Sequence, residues 1–266
     1  MERKVRLDDG RETTLEEWGD RGPCVVAVHG ITSSRKAWRR LGEALSGTYR
    51  LYAYDQRGHG DAADVEGPMT LARSVADLRC VVEGLPASPY ALLGHSWGGA
   101  VAVLGGRELP FERVVAVDPL LRPEPAPGAW RRDYAEDAEA DLALPPDVRA
   151  RVLRERFAGA WHELDVEGKI HAMRAMRARA IADLGRDNGA DEGGWDLRPV
   201  AEGYPKPLLL LLAGNGDSVI AEDDVERVRR NGGANVTLSV FADQGHNLHR
   251  TDFARFLAEL RAFLAR

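Results

Sequence analysis

The apolar positions of this chain fall into two spacings. Short continuous runs at residues 24–29, 49–54, 90–94, 113–118, 207–213 and 235–241 have the length and composition of strands buried on both faces. Between them apolar residues recur at steps of three and four, as in Trp38, Leu41 and Leu45, or Leu71, Val75, Leu78, Val82 and Leu85. That spacing puts them on one face of a helix. Thr70 stands where it can cap the second of these helices. Residues 99–108 and 221–230 predict two more helices, and Phe253, Phe256, Leu257, Leu260 and Phe263 predict a final amphipathic one. Ahead of the first buried run, residues 4–7 and 12–18 flank Asp9-Gly10, a pair suited to a tight turn, which predicts an opening antiparallel hairpin. Strands alternating with helices predict an α/β architecture, a mostly parallel eight-stranded sheet flanked by helices.

The alternation breaks between residues 120 and 204. This segment is rich in Arg, Ala, Glu and Asp, has no strand pattern, and shows helical periodicity over 147–161 and 167–184. Proline-rich stretches at 119–127 and 199–207 bracket it. The expected organisation is a core of residues 1–120 and 205–266, with 121–204 inserted as a helical cap or lid.

Composition narrows the classes of function. A length of 266 residues with 44% hydrophobic content can bury a substantial core, and a net charge of −6 argues against a nucleic-acid binder. Cys24 and Cys80 match no metal or redox spacing and read as buried thiols of a reducing compartment. Residues 1–9 are charged and lack an apolar signal core, and the longest apolar run, 207–213, is too short for a membrane span. A cytoplasmic monomer or homodimer acting on a small molecule, without metal or cofactor, is the resulting expectation.

Candidate chemistry is concentrated at Gly94-His95-Ser96-Trp97-Gly98, which joins a buried strand to a small-residue helix. In the G-x-S-x-G pattern the serine sits on a strained strand-to-helix turn that pushes its hydroxyl into the open. A serine hydroxyl needs a base to take its proton and a carboxylate to orient that base. His246 follows the last strand and is the preferred base, with His249 one helical turn on as its rival. Asp217, in Gly214-Asn215-Gly216-Asp217 after the penultimate strand, is the preferred acid. Asp118, at the end of the preceding strand, is the alternative. Backbone amides of Trp97 and of Ile31, in the His29-Gly30-Ile31 loop, are candidates for binding the oxyanion of an acyl transfer.

His29-Gly30, Asp55-Gln56-Arg57-Gly58-His59-Gly60, the Ser96 motif, Gly214-Asn215-Gly216-Asp217 and Gly245-His246 occur in an order that resembles the α/β-hydrolase fold family over nearly all of the chain. The branch it is similar to contains esterases, C–C bond hydrolases, epoxide hydrolases and haloalkane dehalogenases. Ser96 argues against the last two, whose members use a carboxylate there. Asp61 stands where the family usually has serine, and Ile31 where small or aromatic residues are common. The resemblance implies a serine hydrolase cleaving a carboxylic ester or lactone of a small to medium, largely apolar substrate. The rivals are C–C or amide hydrolysis with the same residues, and a hydrolase-derived ligand receptor with slow turnover. Trp130, Trp161, Met173 and Met176 are candidates for an apolar pocket in the cap, against the alternative that they pack it onto the core. Arg174, Arg177 and Arg179 read as a solvated helix face.

Overall fold

The computed structural model describes residues 1–122, 137–177, 180–188 and 195–266. Its strands are β1 (Glu2–Arg6), β2 (Glu12–Trp18), β3 (Cys24–Val28), β4 (Arg50–Tyr54), β5 (Pro89–His95), β6 (Arg113–Val117), β7 (Leu208–Ala213) and β8 (Val236–Phe241). They form one sheet in the order β1-β2-β4-β3-β5-β6-β7-β8. β1 and β2 are antiparallel to their neighbours, and all pairings from β4 to β8 are parallel. The central strands are buried on both faces, and the two-residue repeat of a strand sends alternate side chains to opposite layers. Val26, Val28, Val114, Ala116, Leu208, Leu210 and Leu212 pack on one side with helices Leu71–Glu83 and Trp97–Glu108. Val25, Ala27, Val115, Val117, Leu209 and Leu211 pack on the other, under Trp38, Leu41, Leu45, Phe256, Leu260 and Phe263. Each fully buried Val or Leu contributes about 1.5–3 kcal/mol relative to exposure, so these rows dominate the stability of the sheet.

Three local features differ from the periodicity reading. The first hairpin closes over Asp8, Asp9 and Gly10, with Leu7 N–H donating to Arg11 O at 2.7 Å and Gly10 at φ 82. The loop is one residue longer than the Asp9-Gly10 pair suggested, and it uses the glycine for its left-handed corner. The expected helix over 167–184 is instead Glu163–Ala175 and Ala180–Asp187, with residues 178 and 179 outside the described set. Met176 turns to extended backbone at ψ 134 and so brings its own side chain and Ala180 into one cluster with Leu153, Ile170 and Met173. The helix expected over 147–161 ends at Phe157, where Gly159 at φ 73 reverses the chain and stacks Trp161 on Phe157 at 3.8 Å. These helices lie between β6 and β7, and Glu163–Ala175 packs against the 3-10 turn Arg35–Trp38 after β3. Among the described residues no helix is long and apolar enough to cross a membrane.

The turn between β5 and helix Trp97–Glu108 is built by close backbone contact. A Cβ on Gly94 would come within 2.0 Å of Gly98 O, and one on Gly98 within 2.3 Å of Val28 O and 2.4 Å of His29 O. Val28 and Gly94 are paired in the sheet, so the strand backbone cannot shift to make room without disturbing the β3–β5 pairing. Gly98→Ala is therefore expected to cost about 3 kcal/mol of stability. The urea midpoint measures it, and a loss below 1 kcal/mol would show that this contact is not what fixes the turn.

Candidate active site

Ser96 occupies this turn with φ 57 and ψ −120, a conformation that L-residues rarely adopt. The strain is held by its surroundings: Ser96 N–H donates to Val117 O at 3.0 Å, and Ser96 O accepts from Ala100 and Leu120. Its hydroxyl makes no helix-capping hydrogen bond, and the side chain lines a cavity of about 70 Å3 at the carboxyl ends of the strands. That is the edge at which parallel α/β sheets place their chemistry.

The neighbouring strand supplies the carboxylate that meets His246. β5 and β6 pair His95 with Val117, so the next residue of each, Ser96 and Asp118, leave the sheet side by side. Asp118 is fully buried, and its Oδ2 accepts a 2.6 Å hydrogen bond from His246 Nδ1. The loop after β7 completes its shell: Val219 N–H donates to Oδ2, while Ala213 N–H and Ser218 Oγ donate to Oδ1. A carboxylate with this many donors is held in one orientation, and as the acceptor from Nδ1–H it leaves Nε2 of the imidazole facing away from it. Asp217, the acid preferred on sequence grounds, is exposed and does not meet the imidazole. Among the described residues its Oδ2 accepts only the His246 backbone N–H, at 3.4 Å, beside Gly245. The physical reason is strand order, because β6 lies next to the serine strand and β7 lies one strand further out.

His246 is buried and lines the cavity with Ser96. His95 Nε2–H donates to His246 O at 2.9 Å, and burial pushes the His95 pKa well below its usual value, so the ring stays neutral in that role. His249 is packed behind the site, 4.3 Å from His95 and 5.4 Å from Trp38 between ring centroids. Burial pushes its pKa down as well, and it reads as a core histidine rather than a rival base.

The loop after β3 runs against the serine. A Cβ on Gly30 would come within 3.0 Å of Ser96 Cβ, and Ile31 lines the cavity. The Asp55–Gly60 motif braces this loop. Gln56 N–H donates to His29 Nε2 at 3.0 Å, His29 Nδ1–H donates to Gly30 O at 2.8 Å, and burial keeps His29 uncharged. Asp55 binds the buried Arg35, and Asp61, one of the departures from the family pattern, joins the same guanidinium at 2.7 Å. Trp97 starts the helix after Ser96, so its N–H lies in the first turn, where no intrahelical acceptor exists. Its buried indole lies 6.0 Å from that of Trp195.

The described wall around the serine is mixed, with Ile31, Phe157 and Trp161 beside polar and charged side chains. Met173 and Met176 are buried in the cluster formed by the inserted helices and are not among the described residues lining the cavity: Met173 lies on the face of its helix turned to Leu153 and Ile170, and the chain turn at Met176 brings that side chain to the same cluster. Trp161 does line it, and Trp130 lies outside the described residues. Lys169 and Arg250, which no motif singled out, form part of the cavity wall.

A mostly parallel sheet of this order, carrying a strained serine between β5 and its helix and extra helices between β6 and β7, is the α/β-hydrolase fold. The alpha/beta hydrolase family profile matches residues 25–260, and the chain belongs to that family. It is similar to N-formylmaleamate deformylase of Pseudomonas putida, at 25% identity over 257 residues, 93% of this chain and 90% of that one. A 30 kDa magnesium-chelatase subunit of Rhodobacter capsulatus is 28% identical over 211 residues, 75% of this chain and 72% of that protein. Among solved structures, E-2-(acetamidomethylene)succinate hydrolase superposes with a TM-score of 0.79 at 19% identity, covering 100% of this chain and 99% of that one, a likeness of fold.

Proposed function

We propose that this protein is a serine hydrolase that cleaves a carboxylic ester or lactone through an acyl-enzyme, with Ser96 as nucleophile, His246 as base and Asp118 as its orienting acid. The observation that carries the reading is the 2.6 Å Asp118–His246 pair set, by strand register, next to a serine on a positive-φ turn. In this scheme His246 Nε2 takes the Ser96 proton as Oγ bonds to the substrate carbonyl carbon. The amides of Ile31 and Trp97 receive the oxyanion, each such donor being worth about 3 kcal/mol in the transition state. Collapse breaks the bond to the alkoxide, which leaves with the proton from His246. Water, deprotonated by the same imidazole, then releases the acid and restores Ser96. The helices between β6 and β7 serve as a cap over the site.

The deformylase relative favours a second bond type for the same steps, an amide whose amine departs in place of the alkoxide. A fluorophosphonate probe followed by a panel of esters and amides of graded acyl length tests the scheme. Labelling is expected on Ser96 alone, with turnover of short acyl groups. Turnover by a protein that the probe does not label would overturn it, and labelling with tight ligand binding but near-zero turnover would favour the receptor reading.

A further inference from the structure

Three non-glycine residues among those described hold a positive φ: Ser96 at 57, Asp118 at 40 and Thr32 at 57. The first two belong to the proposed machinery. Thr32 follows Ile31, whose amide the proposed scheme uses. Its branch at Cβ makes it a poor occupant of that region, and such a residue stays there only where its surroundings hold it. Lys169, from helix Glu163–Ala175, supplies a hold: Nζ donates to Thr32 O at 3.1 Å and to Thr32 Oγ1 at 2.8 Å. One ammonium thus fixes the carbonyl and the side chain of the same residue. The helix that carries it lies directly on the loop after β3. A Cβ on Gly168 would come within 2.9 Å of Lys36 O, His171 Nδ1 lies 3.2 Å from Ser34 Oγ, and Asp165 pairs with Arg40 at 3.0 Å. From the other side the loop meets the serine turn, with a Cβ on Gly30 falling 3.0 Å from Ser96 Cβ.

Gly30 has no side chain to fix its own backbone, so the orientation of the Gly30–Ile31 peptide depends on what anchors the chain beyond it. Turning Thr32 out of φ 57 rotates the planar peptide before it and carries Ile31 along. We propose that Lys169 is a positioning residue for the reaction: by holding Thr32 in its strained conformation it sets the Ile31 amide toward the oxyanion formed at Ser96. The inference rests on the serine-hydrolase reading and gives helix Glu163–Ala175 a part in it, through Thr32 rather than through the reacting atoms. The state of the lysine fits a group kept for this contact. Burial pushes its pKa down to about 7, with Arg250 and Arg156 adding to the depression and Asp141 opposing it. A methionine of similar length would fill the same space without a charge to desolvate.

The test is Lys169→Met, which keeps the helix propensity of the position while removing the donor. Measured per serine that a fluorophosphonate labels, kcat for an activated ester is expected to fall by about tenfold or more, part of the loss that removing an oxyanion donor gives, with KM changed by less than about threefold. Adding Thr32→Gly should then raise kcat by about threefold or more above Lys169→Met alone, because glycine is at ease at φ 57 and needs no hold. A lysine kept only to dock the helix would move the urea midpoint and leave kcat per labelled serine unchanged. If Lys169→Met does not fold, Thr32→Val takes its place: it removes the 2.8 Å contact, retains the branch at Cβ, and should lower kcat with KM unchanged. Native kcat in the variant used, a rise in KM alone, or a loss in Lys169→Met that Thr32→Gly does not relieve overturns the positioning role and leaves the hydrolase reading intact. Failure of the probe to label Ser96 in the native protein removes that reading and this inference with it.

Discussion

Ser96→Ala is expected to lower turnover of an activated ester by on the order of 10^4-fold or more, because in the proposed scheme the Ser96 hydroxyl is the attacking group and His246 is left with no nucleophile to activate. The fold should survive, since the serine side chain makes no capping hydrogen bond and is held in place through its backbone. A companion variant separates chemistry from structure. Ser96 pays for its position with φ 57, where glycine is at ease and any side chain is strained by about 1–3 kcal/mol. Ser96→Gly is therefore expected to be as inactive as Ser96→Ala yet more stable than the native protein by about 1 kcal/mol, read from urea melts of both variants. A serine kept for its hydroxyl gives this opposition between stability and activity. A serine kept to start the helix would lose both together, and that outcome would contradict the proposed role.

Much of the architecture was legible because the central strands are buried on both faces and so read as unbroken apolar runs. Leu208–Ala213 and Cys24–Val28 admit no other element in a chain of this composition. Ser96 and His246 were legible for a related reason, as both follow strands and so emerge on the same edge of a parallel sheet. The inserted helices were harder to read. Apolar residues of these helices can either join their own small cluster or line the cavity, and spacing does not say which. Met173 and Met176 went to the first, and Trp161 to the second. Lys169 and Arg250 were invisible because nothing local marks them: they are 81 positions apart and meet at one wall only after folding.

The acid shows the limit most clearly, and it yields the sharpest contrast between two substitutions. Asp118 and Asp217 each stand just past a buried strand, so local pattern treats them alike, whereas strand order and register do not. Asp118→Asn is expected to lower kcat by about 10^4-fold, since an amide cannot accept from His246 Nδ1–H, Val219 N–H, Ala213 N–H and Ser218 Oγ at once. With the amide nitrogen turned toward His246, the wrong imidazole tautomer is favoured and Nε2 carries the proton it should accept. With the nitrogen turned the other way, Ala213 N–H loses its acceptor and the loop after β7 is weakened. Asp217→Asn should change kcat by less than threefold and stability by less than about 0.5 kcal/mol, because its side chain is exposed and contributes one long backbone contact. Measuring kcat for both variants beside their urea midpoints assigns the acid. If Asp217→Asn were the crippled protein and Asp118→Asn merely less stable, the role would return to the strand that sequence order favoured, and the hydrogen bond to His246 would be a brace for the loop after β7.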